Sequence, residues 1–219
     1  MAPRKTKVSS LATRDPERTK RRILAAALHE FAARGFAGAR VDAIARRASS
    51  NKRMLYHYFG DKEGLFRAML HQKLEERMGY VEAIGPDGDL FSALPDFFRH
   101  NCDDPDLVRL LAWESLQAKN DTVTNEAERR RASLQLEALI RKSQAAGRVR
   151  RDVSAHCLQV ARLALTLFPL AMPQLSRLAI GRSPRDPEFQ REYALFLQTF
   201  AAAFRPQNEA QKRPRKANP

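Results

Sequence analysis

Apolar side chains recur at helical spacing along most of the chain, and no useful stretch alternates with the period of two that a half-buried strand needs. The first stripe is Ile23, Leu24, Ala27, Leu28 and Phe31, which predicts a helix over Glu17 to Arg34. Pro16 stands where a first-turn proline is tolerated, and Gly35 is placed to end the helix. Val41, Ile44, Ala45 and Ala48 predict a short second helix, and the turn-prone Ser49, Ser50 and Asn51 follow it. Lys52 to Phe59 reads as a third short helix closed by Gly60, and Asp61 is placed to cap a fourth, Lys62 to about Met78.

Beyond the turn-rich IGPDGD (Ile84 to Asp89), the pattern predicts helices over Leu90 to Cys102, Pro105 to Lys119 and Thr124 to Ala146, the last closed by Gly147. Ser154 is placed to cap a helix from Ala155 into an apolar stretch ending around Pro169 to Pro173. A final helix, Glu188 to Phe204, carries Phe189, Tyr193, Phe196, Leu197, Phe200 and Phe204 on one face. The expectation is an all-α protein of about nine helices. It divides into a basic arm (1–14), an N-terminal helix-turn-helix unit (15–78), a C-terminal helical bundle (79–205) and a basic tail (206–219).

Charge sharpens the division. The net charge is +14, yet residues 78–204 balance at 16 basic and 16 acidic side chains, whereas residues 1–77 carry 18 basic and 8 acidic. A basic front and a neutral body suit a chain whose first unit meets a polyanion. Two cysteines make neither a disulfide framework nor a zinc site, and His100, Cys102, Asp103 and Asp104 match no common metal spacing. No apolar core follows the basic N-terminus, so no secretory signal is read there. The apolar run Leu158 to Met172 is 15 residues long and interrupted by Gln159, Arg162 and Pro169, short of the about 20 that a membrane span needs. The expected setting is cytoplasmic. No phosphate-cradling glycine loop, zinc-protease motif or nucleophile elbow is present, so neither an enzyme nor a cofactor is expected.

The most informative segment is VDAIARRASSNKRMLYHYF, Val41 to Phe59. Two helices this short need the first and fourth helices as a floor, an arrangement that presents the third helix outward. Leu55 and Phe59 then face inward, and Arg53, Tyr56 and His57 share the opposite face. Arg53 is the candidate for reading guanine in a major groove, and Lys52 for base or phosphate. Tyr56 suits phosphate or packing, and His57 a base contact or plain surface. Arg46 and Arg47 are either phosphate clamps or a solvated face. Lys62, opening the fourth helix, is placed for phosphate.

The segment Arg18 to Leu70 resembles the DNA-binding domain of the TetR family of transcriptional repressors. The matching strings are ILAAALHEFAARGF, VDAIARRA and, above all, LYHYFGDKEGLFRAML. AGRVRRDV (Ala146 to Val153) resembles the family's link between its seventh and eighth helices. The resemblance implies DNA contacts from Lys52, Arg53, Met54, Tyr56, His57 and Lys62. Where the family often opens its second helix with Thr or Ser, this chain has Ala39 and Arg40, so the cap is lost and Arg40 offers a charge to phosphate instead. Ser49 stands where the family favours glycine, Ser50 where it favours a small apolar residue, and Arg53 where a small residue is usual.

The resemblance also implies a C-terminal bundle of about five helices with an effector pocket, and a homodimer formed by the last two long helices. The sequence agrees in its aromatic final helix and in the helix from Ala155, which is apolar on nearly all sides and so is expected to be buried. Phe97, Phe98, His100, Trp113, Leu116 and Phe168 are the candidate pocket lining. The expected function is repression from a palindromic operator, relieved by an apolar or amphipathic small molecule. The rival is a sequence-independent nucleic-acid or membrane-surface binder that acts through its basic arms.

Overall fold

The computed structural model describes residues 15–84, 89–117 and 123–206; the basic arm, residues 85–88, residues 118–122 (with the expected helix end at Lys119) and all but the first residue of the basic tail lie outside the described residues. Among the described residues every regular element is a helix: α1 (Pro16–Gly38), α2 (Val41–Arg47), α3 (Lys52–Phe59), α4 (Lys62–Ile84), α5 (Leu94–Asp103), α6 (Pro105–Gln117), α7 (Glu126–Ala145), α8 (Ala155–Ala171), α9 (Pro173–Ile180) and α10 (Pro187–Ala202). No single helix among these residues is long and apolar enough to cross a membrane.

Two cores organise the helices. The first joins Ile23, Ala27 and Phe31 of α1, Ile44 and Ala45 of α2, Leu55 of α3, and Leu65, Phe66, Met69 and Leu70 of α4; Leu107 and Leu110 of α6 complete it. At its centre Phe31 and Phe66 meet edge to face at 5.0 Å, and Phe36 packs on both rings, 6.0 Å from Phe31 and 5.2 Å from Phe66. Phe36 reaches that place because Gly35 leaves the helix at φ 66° and ψ 174°, a conformation open to glycine; a single further turn follows to Gly38. The second core gathers Val81, Leu90, Phe91, Phe97, Phe98, Leu136, Ile140, Leu158, Phe189 and Leu197.

Local chemistry fixes the helix ends. Asp15 caps α1 by accepting from the amides of Glu17 (3.0 Å) and Arg18 (3.2 Å). Asn51 caps α3 through the Met54 amide at 2.9 Å, and Asp61 caps α4 through the Gly64 amide at 2.7 Å. Arg22 of α1 donates to the carbonyls of Ala48 and, at 3.1 Å, Ser49, which are left open where α2 ends. Ser49 itself is left-handed, φ 46°. Gly64 marks the closest approach of α3 and α4: a Cβ there would stand 2.1 Å from the Phe59 carbonyl oxygen.

Several boundaries differ from the sequence pattern. α4 continues past Met78 to Ile84. Residues 90–93 form turns ahead of α5, with the Phe91 amide donating to Asp89 at 3.0 Å. Ser154 precedes α8 without a side-chain cap. α8 ends at Ala171, within the expected range, and carries Pro169 in its last turn; the carbonyl that Pro169 leaves without a helical donor, that of Leu165, accepts from the Tyr193 hydroxyl at 3.0 Å. The same bond ties α8 to α10. A further helix, α9, starts at Pro173 and raises the count among the described residues to ten. α8 is not buried on all sides: Leu158 is interior, but Val160 is 65% exposed and Phe168 51%.

Gly64→Ala is expected to destabilise the N-terminal unit by about 3 kcal/mol, because backbone must move to admit the methyl group; the thermal midpoint should fall clearly. Ser49→Gly should raise stability by about 0.5–1 kcal/mol, since it relieves a left-handed serine at some cost in chain entropy. A denaturant titration showing no gain would reject the assigned strain.

Candidate nucleic-acid interface

Helix α3 is held from one side only. Leu55 is buried and Tyr58 and Phe59 pack against the first core. Lys52, Arg53, Tyr56 and His57 are exposed, Tyr56 by 45%. Met54 is half-buried, between the two faces. Three exposed side chains at positions 53, 56 and 57 thus share a face of an eight-residue helix, a size that fits a B-DNA major groove. The Lys20 ammonium lies 5.6 Å from the Tyr58 ring, which brings α1's basic surface beside α3.

The cations around α3 are not equally available. Lys52 reaches Asp42 of α2 at 2.6 Å, and the hydrogen bond to that carboxylate raises its pKa. Lys62 donates to the Ala37 carbonyl at 3.2 Å, with its ammonium 5.0 Å from the Phe36 ring. Both keep donors for a further acceptor, since an ammonium has three. Arg40, at the start of α2, makes no side-chain cap; its amide donates to Glu30 at 3.2 Å and its side chain is exposed. Arg46 and Arg47 are exposed as well. Asp42 as the partner of Lys52, and Arg22 as the clamp on the turn, were missed in the sequence. Asp42 sits on a face that helical spacing could place, but nothing in the local pattern pairs Arg22 with carbonyls 26 and 27 residues away.

The second region of interest lies in the other core. The candidate pocket residues do not converge there. Phe97 and Phe98 are buried, and Tyr80 joins Phe97 (5.4 Å) to His100 (5.1 Å, stacked). Trp113 is half-buried, whereas Leu116 is 77% exposed and Phe168 also lies on the surface of the single chain. Those two leave the candidate lining because α6 and α8 turn these positions outward. What the pattern missed is polar. Arg77 donates to Asn101 Oδ1 at 2.8 Å, and the Asn101 amide donates to the Thr166 carbonyl at 2.9 Å. Arg162 is 2% exposed, donates to Gln159 at 3.1 Å and lies 4.9 Å from the Phe97 ring. Burial, with the charge of Arg77 added, pulls Arg162 down to about 10. Burial also makes the Cys102 thiol a weaker acid, pushed up to about 11. His71, Glu75 and Glu128 hold ligand-type atoms within 4.8 Å of one another, but on a largely exposed surface where His71 Nδ1 already lies 2.6 Å from Glu128.

Comparison with known proteins agrees with this geometry. Residues 23–69 match the model of bacterial regulatory proteins of the tetR family, and residues 94–197 match the tetracyclin repressor-like C-terminal domain. The chain is 34% identical to the HTH-type transcriptional repressor SCO4008 of Streptomyces coelicolor, over 78% of this chain and 88% of that one. It is 35% identical to the HTH-type transcriptional regulator RutR of Escherichia coli over 44% and 48%. Among solved structures, the transcriptional regulator SCO4942 of Streptomyces coelicolor superposes with a TM-score of 0.69 at 25% identity, covering 87% of this chain and 99% of that one. The hemolysin II regulator HlyIIR shares the fold, with a TM-score of 0.59 at 19% identity over 88% and 100%. With both halves matched and the outward α3 in place, this chain belongs to the TetR family and is a DNA-binding regulator of transcription.

Proposed function

We propose that the protein is a cytoplasmic, homodimeric repressor that binds a palindromic operator and leaves it when a small apolar or amphipathic effector binds the C-terminal unit. The observation that carries the reading is the one-sided α3, whose buried Leu55 leaves Arg53, Tyr56 and His57 facing outward. In this reading residues 15–78 bind DNA and 79–205 sense and dimerise. Arg53 reads a base, and Met54 and His57 lie beside it. Tyr56, Arg40, Lys52 and Lys62 hold phosphates, the two lysines through donors not used inside the fold.

The dimer reading is supported by exposed large apolar side chains on α8 and α10. Val160, Leu163 and Phe168 of α8 and Leu195 and Phe196 of α10 are exposed, the two helices that the sequence assigns to the interface. A two-fold pair presents two copies of α3 to half-sites about one helical turn apart, or a multiple of it. An effector that prefers a state with a different spacing weakens DNA binding, and DNA weakens the effector by the same factor.

Selection of genomic fragments by the purified protein should enrich a palindrome. On that site Arg53→Ala should cost about 1–3 kcal/mol and relax one position per half-site. Unchanged affinity for operator and random duplex alike would remove the base-reading role. A parent protein that prefers no duplex at all would instead favour binding by the charged arms. Leu195→Glu should convert the dimer to a monomer in light scattering and weaken operator binding at least about tenfold, or 1.4 kcal/mol. A persistent dimer would place the interface elsewhere.

A further inference from the structure

The effector reading leaves open what chemistry the C-terminal unit recognises, and the buried arginines bear on it. Charged groups are rarely interior unless paired, because transfer out of water costs far more than packing returns. Arg162 sits in the middle of α8 and Arg77 in α4, at opposite ends of one hydrogen-bonded chain: Arg77 to Asn101, Asn101 to the Thr166 carbonyl, and the Thr166 hydroxyl back to the Arg162 carbonyl at 2.8 Å. Among the described residues neither guanidinium has an ion-pair partner. The carboxylate felt by Arg77 is that of Asp104, which is bonded to Lys73 at 2.9 Å. Among the described residues the charge that acts on Arg162 is the like charge of Arg77. Each guanidinium also has a buried nitrogen without an acceptor, Nη2 of Arg77 and Nη1 of Arg162. Two cations that repel each other, both short of an acceptor, are placed beside a core of aliphatic and aromatic side chains.

We propose that Arg77 and Arg162 form the recognition site for an organic carboxylate, with Phe97 and Tyr80 beside it to take an apolar or aromatic body. A carboxylate supplies what the site lacks: two acceptor oxygens matched to guanidinium geometry and one negative charge between two positive ones. Asn101 and Gln159 hold the arginines in place and leave the unbonded nitrogens free. The proposal rests on the effector reading above and specifies it, narrowing an amphipathic molecule to an anionic one.

The test uses the full-length protein, with benzoate and octanoate as probes. Benzamide and octanamide serve as neutral controls, sodium chloride as the ionic control and inorganic phosphate as the alternative oxyanion. Thermal midpoints and titration calorimetry are read on the parent, Arg162→Met and Arg77→Met, with DNA binding of the parent followed in parallel. At least one carboxylate should raise the parent midpoint by several degrees in a saturable way, while its amide and the chloride do not. Both variants should lose that response. Their own midpoints without ligand should stay level or rise, because each replaces an uncompensated buried charge with an apolar side chain of similar length. Variants that melt well below the parent would make the arginines structural and overturn the proposal, as would a parent that responds to carboxylates no more than to chloride. A response to phosphate alone would overturn the carboxylate assignment. Sequence-preferring DNA binding with no carboxylate response rejects this inference and spares the regulatory reading, whereas a carboxylate response in a protein that prefers no duplex does the reverse.

Discussion

An eight-residue helix has almost no stability of its own, so everything presented on α3 depends on the floor beneath it. That floor is the Phe31–Phe36–Phe66 cluster with Leu55 pressed against it. The fit is set by backbone as much as by side chains. Gly35 must turn out of the helix to deliver Phe36, and Gly64 must lack a Cβ to let α4 pass the end of α3. Arg22 then locks the turn between α2 and α3 from behind. With the inner face committed at Leu55, Tyr58 and Phe59, helical spacing leaves Arg53, Tyr56 and His57 nowhere to point but outward.

The same floor joins the two halves. α4 is one helix whose first turns hold α3 and whose later turns enter the second core: Lys73 meets Asp104, Arg77 meets Asn101, and His71 meets Glu128 of α7. α6 works from the other side, with Leu107 and Leu110 in the first core and Asp106 3.6 Å from His29 of α1. A shift of α4 along its axis would therefore move the base of α3 and disturb the Arg77–Asn101 contact together. Packed helices change by such discrete displacements and do not deform smoothly, which makes α4 a suitable carrier of coupling.

Local signals made the N-terminal half legible. Asp61 as a cap, Gly60 as a stop and the inward Leu55 are all properties of neighbouring residues, and α3 has the bounds that they predict. The C-terminal half was legible in its helices and less so in their faces. The α8 stretch ends within the expected Pro169 to Pro173, but that Tyr193, 24 residues beyond Pro169, satisfies the Leu165 carbonyl could be found only in three dimensions. α9 was hidden because Pro173 follows an apolar run without a polar break. Leu116 and Phe168 read as core by residue type, but type does not say which side of a helix finds a partner. The position of Lys62 points to phosphate, and the Ala37 carbonyl that it also serves could be found only in three dimensions.

Arg162 shows the general difficulty most clearly. In the sequence it is a blemish in an apolar run; in the fold it is a buried charge on the inner side of a helix whose outer side bears exposed Val160, Leu163 and Phe168. α8 thus has an apolar outer face and an inner one where Gln159, Arg162 and Thr166 lie among Ala155, Leu158 and Pro169, separated by the thickness of a single helix. On the proposed reading, the outer face meets the second subunit and the inner face meets the effector. A ligand that draws Arg162 toward Arg77 would then pull on the element that sets the distance between subunits, without any relay through flexible segments. The Tyr193 hydroxyl bonds the Leu165 carbonyl that Pro169 leaves open, so on that reading a displacement of α8 at the buried arginines is felt at α10 as well. This economy gives a physical reason for placing an uncompensated charge there at all: its cost in the empty state is the free energy that an anion can recover on binding, and by linkage it is also the free energy available to change the hold on DNA.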